Sequence, residues 1–123
     1  MEADRIQCFW CEPVEPAASD DATAERRPWR RVDTGEVFQS VWDLPAGAMW
    51  NAPWWAFACV KHADGRCIAV MLPDRCVWLL DQPPAGQTRA WERTGEPPSV
   101  TARPSILTPK YHGWLTDGVL TRC

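Results

Sequence analysis

Prolines occur along the whole chain and restrict it to short elements. The sequence contains 12 prolines and 7 glycines among 123 residues. A proline in a helix interior removes a backbone donor and costs ~3 kcal/mol, which excludes long helices. A chain of this length usually forms one domain and buries roughly two-thirds of its unfolded surface. We therefore expect residues 1–123 to form a single domain of short elements.

The apolar residues between these breaks are arranged as strands. The runs AFACV at 56–60 and CIAVML at 67–72 flank a turn at Asp64-Gly65, and CVWLLD follows at 76–81. Near-continuous apolar runs rich in β-branched and aromatic residues are typical of strands covered on both faces. The first segment, RIQCFW at 5–10, alternates instead and places every second side chain on one face.

The C-terminal segment carries the clearest hairpin signal. Asp117-Gly118 lies between two short apolar runs, and glycine adopts a positive φ at no steric cost. A second hairpin is predicted around Asp33-Thr34-Gly35. Eight or so short strands at 8–12-residue spacing favour an all-β fold, either an antiparallel β-sandwich or a small barrel.

Residues 12–31 are polar and interrupted by prolines, so we predict an extended loop or arm. A short helix over Asp20–Arg27, with Ser19 as its N-cap, is compatible with this segment until Pro28 ends it.

A basic and aromatic cluster ends this arm. Arginine beside an aromatic ring can hold phosphate or single-stranded nucleic acid. The net charge of −3 argues against a nucleic-acid-binding module. The preferred interpretations are a protein–protein contact or a solvated arm, and the contact residues would be Arg27, Trp29 and Arg30.

Nine tryptophans are far more than a chain of this length usually contains, and four of them lie in the irregular segment 42–55. Pro45, Gly47 and Pro53 are expected to break any regular element there. Tryptophan suits small cores and interfaces equally. The segment is therefore either a lid over one end of the core or a contact surface. The candidate partner-binding residues are Trp42, Trp50, Trp54 and Trp55.

Six cysteines would indicate disulfides in a secreted protein. The N-terminus MEADRIQCFW has an acidic start and no apolar core of a signal peptide, so we expect synthesis and retention in a cytosol. Free thiols or a metal site are then better interpretations than disulfides. Cys59, Cys67 and Cys76 lie in apolar runs and are predicted to be inert core residues.

Cys8-x-x-Cys11 has the spacing of a zinc knuckle. His112 and Cys123 would complete a four-ligand structural site if the two chain ends meet. No cofactor is required by the sequence, and zinc is the one metal that it suggests. We find no phosphate-binding glycine loop and no nucleophile elbow, so we do not expect an enzyme.

Several motifs together resemble a small family encoded in tailed-phage and prophage genomes. The matching residues are Cys8-x-x-Cys11, Trp91-x-x-x-Gly95-x-Pro97-Pro98, Pro104-Ser105-Ile106, His112-Gly113-Trp114-Leu115 and Asp117-Gly118-Val119. The similarity covers the last third of the chain and the N-terminal knuckle. Relatives often carry a cysteine directly before the histidine, which gives a Cys/Cys/Cys/His zinc set. This chain has Tyr111 at that position, so Cys123 would have to supply the fourth ligand.

The resemblance implies a phage origin. Together with the short strands, the aromatic segment and the arm, it predicts a minor structural or decoration protein of the virion, assembled in the host cytoplasm. Its partners would be capsid or tail proteins, or copies of itself, without nucleic acid or membrane. The alternative is a zinc-stapled accessory protein that stays outside the virion and acts on a host target during infection.

Overall fold

The computed structural model describes residues 5–59, 65–83, 86, 90–107 and 111–122. Asp64 of a predicted turn and the proposed ligand Cys123 lie outside these residues. These residues form three short 3-10 helices and eleven strands. They are β1 (Arg5–Gln7), β2 (Phe9–Pro13), η1 (Ala22–Arg26), β3 (Trp29–Arg31), β4 (Val37–Phe38), η2 (Val41–Asp43), β5 (Ala48–Asn51), η3 (Pro53–Ala58), β6 (Ile68–Met71), β7 (Val77–Leu79), β8 (Glu92–Thr94), β9 (Thr101–Leu107), β10 (His112–Thr116) and β11 (Val119–Arg122).

The strands form two sheets, and the all-β prediction is confirmed. The five-stranded sheet has the order β1-β11-β10-β9-β8, and the six-stranded sheet has the order β4-β3-β2-β5-β6-β7. Neither sheet closes on itself, so the fold is sandwich-like. No helix in the described part of the chain is long and apolar enough to cross a membrane.

The six-stranded sheet is covered on both faces. Along β6 the side chains are all buried and alternate between two hydrophobic clusters, with Ile68 and Val70 in one and Ala69 and Met71 in the other. The first cluster lies between the two sheets, because it also contains Leu115 and other residues of the five-stranded sheet. The apolar run is continuous because β6 is buried on both faces, as the sequence predicts.

The partner of β6 differs from the prediction. Residues 53–58 form η3 rather than a strand, and β6 pairs with β5 through Trp50 and Ala69 instead. The prolines and the glycine of segment 42–55 end its elements, but they leave four consecutive residues, 48–51, free to form a central strand. The sheet is also mixed rather than antiparallel, since β2 and β5 run parallel.

The predicted first strand is divided at Cys8 between the two sheets. Arg5–Gln7 pair with β11, whereas Phe9 and Trp10 pair with β5. The backbone N–H of Cys8, between β1 and β2, donates to the Gly118 carbonyl, 2.7 Å away. This hydrogen bond connects the point where the chain passes from one sheet to the other to the β10–β11 hairpin. Side chains continue to alternate between the two faces past Cys8, because Cys8 belongs to the first cluster and Phe9 to the second.

Three hairpins are predicted. Residues 53–58 form η3 rather than the first strand of the one around Asp64-Gly65, and the other two are present. Strands β3 and β4 pair around Gly35, which has a φ of +80°. Strands β10 and β11 pair around Asp117 and Gly118, whose φ values of +48° and +76° suit a two-residue hairpin turn.

The segment 12–31 is not a free arm. Glu12 and Pro13 end β2, and β3 pairs with them across the intervening connection. The predicted short helix exists as η1, but Asp21 rather than Ser19 caps it, because the Asp21 carboxylate accepts from the Thr23 N–H.

The cysteine prediction needs a correction. Cys59 and Cys67 form a disulfide with a Cα–Cα separation of 6.2 Å, so they are not free core thiols. Cys76 is exposed rather than buried. Residues 53–58 form η3 rather than a strand, and this leaves Cys59, directly after η3, beside Cys67, directly before β6.

A buried ion pair joins the sheets. Asp81 follows β7 of the six-stranded sheet and is fully buried, while Arg93 lies on β8 of the five-stranded sheet. The Arg93 Nε donates to Asp81 Oδ1 at 2.8 Å, and Asp81 Oδ2 accepts from the Ile68 N–H at 2.9 Å. One carboxylate therefore links three strands.

Candidate protein-binding surface

Three of the tryptophans form a buried cluster beneath the 3-10 helices. Trp29 packs edge-to-face against Trp50 and against Trp54, with ring centroids 6.2 Å apart in both pairs. This geometry brings the positive edge of one indole to the negative face of another. The Trp29 indole N–H also donates to the Ala24 carbonyl at 2.9 Å, which fixes η1 to the core.

Two of the predicted contact residues are buried, so the prediction is wrong for them. Trp29 is 1% exposed and Trp50 is 0% exposed, so neither can contact a partner directly. Both lie on strands whose inward faces point into the second cluster. Trp54 is half-buried and lines a cleft of about 420 Å³ that also includes Trp10 and Glu12.

The other two tryptophans of the segment are exposed, and both lie near Glu25. Trp42 on η2 is 56% exposed and Trp55 on η3 is 36% exposed. The Trp55 indole N–H donates to Glu25 Oε2 at 3.3 Å. Glu25, on η1, also lines a cavity of about 280 Å³ together with Trp42. We call Trp42, Trp55 and Glu25 the indole surface.

The backbone beneath Trp42 is held in place. Arg75, which has a φ of +69° in the turn before β7, donates to the Trp42 carbonyl at 2.7 Å and to the Leu44 carbonyl at 2.8 Å. Val41 and Leu44 on either side are fully buried. The exposed indole therefore projects from an anchored turn, which lowers the entropy that a partner must remove on binding.

The arginines of the segment 12–31 have separate roles. Arg27 pairs with Asp21 at the start of η1 and donates to Thr23 Oγ1 at 2.6 Å. The hydrogen bond from Thr23, followed by that from Arg27, lowers the pKa of Asp21. Arg30 is exposed on the edge hairpin, opposite Glu12. Arg27 therefore stabilises η1, and of the three predicted residues Arg30 alone presents its charge to solvent without a described partner.

The predicted zinc ligands are not gathered in one place. Cys8 belongs to the cluster between the sheets, whereas Cys11 belongs to the cluster on the opposite side of the six-stranded sheet. Residues three apart on a strand point to opposite faces, so the C-x-x-C spacing does not form a knuckle here. Burial raises the pKa of the Cys8 thiol to about 12 and, against the opposing effect of Arg31, that of Cys11 to about 12.

His112 lies on the outer face of β10, exposed, with its ring centroid 6.0 Å from that of Trp114. Within the described ranges, no group of three or more His, Cys, Asp or Glu side chains is placed to hold a metal ion. The fourth proposed ligand, Cys123, lies outside those ranges.

Sequence reasoning missed Glu25 and Trp114. Glu25 accepts a hydrogen bond from the indole of Trp55, which lies 30 residues later in the chain, and no local pattern connects the two residues. Trp114 had a signal, because alternation along His112–Thr116 places it on the face opposite the buried Leu115.

Comparisons of the chain with protein-family models, with curated proteins and with solved structures find no match.

Proposed function

We propose that this protein is a minor structural or decoration protein of a tailed-phage virion that acts by binding capsid or tail proteins through the indole surface. The single observation behind the binding role is the pair of exposed indoles near Glu25: Trp55 donates to its carboxylate, and Trp42 lines a cavity with it. The phage assignment rests on the terminal motifs around His112 and Asp117.

Neighbouring exposed aromatic side chains often mark an interaction site, and tryptophan is among the residues enriched at the energetic centres of interfaces. Glu25 adds a requirement on the partner. A carboxylate near exposed indoles suits a cationic side chain, which can pair with the carboxylate while stacking on an indole. A partner with an exposed arginine or lysine beside an apolar patch therefore fits this surface best.

The predicted location follows from the same assignment: the protein would be assembled in the host cytoplasm and retained on the particle. The test is mass spectrometry of purified particles from wild-type phage and from phage that encode Trp42→Ala. We expect the wild-type protein in particles at a stoichiometric ratio to a capsid or tail protein. The Trp42→Ala protein should be present in the lysate but depleted from the particles.

A matched control is Val37→Ala, since Val37 is 45% exposed on the edge strand β4 and outside the indole surface. This variant should be incorporated normally. Absence of the wild-type protein from purified particles would refute the virion assignment, and equal incorporation of both variants would refute the role of the indole surface.

A further inference from the structure

The five-stranded sheet is covered on only one face by the hydrophobic clusters of the described residues. Its inward residues, such as Leu115 and Leu120, are fully buried between the sheets. Its outward residues include Trp114, which is 42% exposed, and Leu107, which is 72% exposed. We call the outward side chains of β1, β11, β10, β9 and β8 the open sheet face.

A row of side chains crosses this face from edge to edge. Arg5 pairs with Thr121, and Thr121 pairs with Trp114 on the next strand. On β9, the strand next to β10, the exposed residue Arg103 continues the row, and it pairs with Glu92 on β8. Strands lie ~4.8 Å apart, so the two arginines flank the indole at about one and two strand spacings. Neither guanidinium forms an ion pair with a carboxylate of the described chain.

The open sheet face and the indole surface lie on opposite sides of the molecule. From one side to the other, the layers are the five-stranded sheet, the first cluster, the six-stranded sheet, the second cluster and the 3-10 helices. Trp42 projects from the layer of 3-10 helices, and Trp114 projects from the five-stranded sheet.

Their chemistry is complementary. The open sheet face offers an indole with two exposed arginines, Arg5 and Arg103. The indole surface offers two indoles and the Glu25 carboxylate, although exposed Arg26 lines the same cavity, and η2 adds the exposed carboxylate of Asp43. Arginine over an indole and against a carboxylate gains cation–π and charge-assisted contacts together.

We propose that the open sheet face of one copy of this protein docks on the indole surface of a second copy. Arg103 of one copy lies against Glu25 of the other, and the Trp114 indole packs beside Trp42. This inference rests on the proposed binding role of the indole surface: the copy at one end keeps this surface free for a capsid or tail protein, and each other copy binds its neighbour through it. Because the two surfaces differ and lie on opposite sides, the contact is head-to-tail and leaves one free surface of each kind at the ends.

The contact is expected to be weak in solution. Five strands span ~19 Å and a five-residue strand spans ~17 Å, so the flat part of the face is far below the ~800 Å² per partner of a standard interface. Association should therefore be visible only at high protein concentration.

The test is sedimentation velocity of the full chain from ~10 μM to ~1 mM, with circular dichroism to show that each variant is folded. The wild-type average mass should rise with concentration. Trp114→Ala and Trp42→Ala should each raise the dissociation constant about 30-fold, as expected for the loss of a central tryptophan. Val37→Ala should associate like the wild type.

Mixing the two defective chains separates this arrangement from a symmetric one. Trp114→Ala retains the indole surface and Trp42→Ala retains the open sheet face, so their mixture should form a dimer at the wild-type affinity and nothing larger. A wild-type chain that stays monomeric throughout, or a mixture without dimers, would overturn the inference. Monomeric protein that is nevertheless present in purified particles would overturn this inference alone, and self-association with absence from particles would overturn the virion assignment alone.

Discussion

Removing the charge of Asp81 is expected to cost more stability than any single change at the surface. Asp81 is fully buried, and the Arg93 side chain that it pairs with is 6% exposed. Asp81→Asn removes the negative charge that lies 2.8 Å from the buried guanidinium, and breaking a buried pair costs ~3–5 kcal/mol. The substituted amide oxygen can still accept from the Ile68 N–H, so the loss reports the charge rather than the hydrogen bond.

The assay is urea unfolding monitored by tryptophan fluorescence. For a domain of this size an m-value of ~1.5 kcal/mol/M converts the expected cost into a midpoint lower by ~2–3 M. Arg93→Met should lower the midpoint similarly, because it removes the cation that pairs with the buried carboxylate. The double variant Asp81→Asn/Arg93→Met should be more stable than either single variant, since no buried charge remains.

The matched control is Asp33→Asn, which breaks the exposed pair between Asp33 and Arg31. Solvent screens such a pair, so the urea midpoint should stay nearly unchanged. If Asp81→Asn shifts the midpoint no further than Asp33→Asn does, the buried pair does not join the sheets as the structure indicates.

Four further predictions concern glycine, thiol and disulfide positions. Gly113→Ala should cost ~3 kcal/mol in thermal unfolding, because the new Cβ would lie 2.2 Å from a carbonyl oxygen of β11. The free energy of unfolding should fall as the pH rises above 9.0. Cys8 and Cys11 ionise there in the unfolded chain, whereas in the folded protein they stay protonated up to their pKa of about 12. The slope is at most ~1.4 kcal/mol per pH unit for each thiol. Reductant should lower stability by ~2.5 kcal/mol, because the Cys59–Cys67 disulfide closes a short loop. Elemental analysis should find no stoichiometric zinc, because Cys8 and Cys11 face opposite sides of a sheet.

Each of these has a control or a contrary result. Gly35→Ala meets no atom within 4 Å and only its φ of +80° opposes the change, so an equal loss at both glycines would contradict the steric argument. A Cys8→Ala/Cys11→Ala variant with the wild-type pH slope would contradict the thiol assignment. Reductant should not affect Cys67→Ser. One zinc per chain, lost in Cys8→Ser, would require β1 and β2 to rearrange around the metal.

Local patterns were the reliable guide to the strands and turns. The period of two across residues 5–10 survives the division at Cys8, and the Asp117-Gly118 turn forms as predicted. Pairing was less predictable where one run had two acceptable partners. CIAVML had the run 56–60 and the segment 48–51 available on one side, and the structure uses the second because η3 removes the first.

The sequence by itself determined a single all-β chain of short strands, because proline spacing, alternation and turn chemistry act between neighbouring residues. Tertiary structure decided which tryptophans are buried, that Trp42 and Trp55 lie beside Glu25, and that Asp81 meets Arg93. It also decided that Cys59 bonds to Cys67 and that Cys8 and Cys11 face different clusters. These contacts depend on how two sheets pack, and packing brings together residues that no local pattern connects.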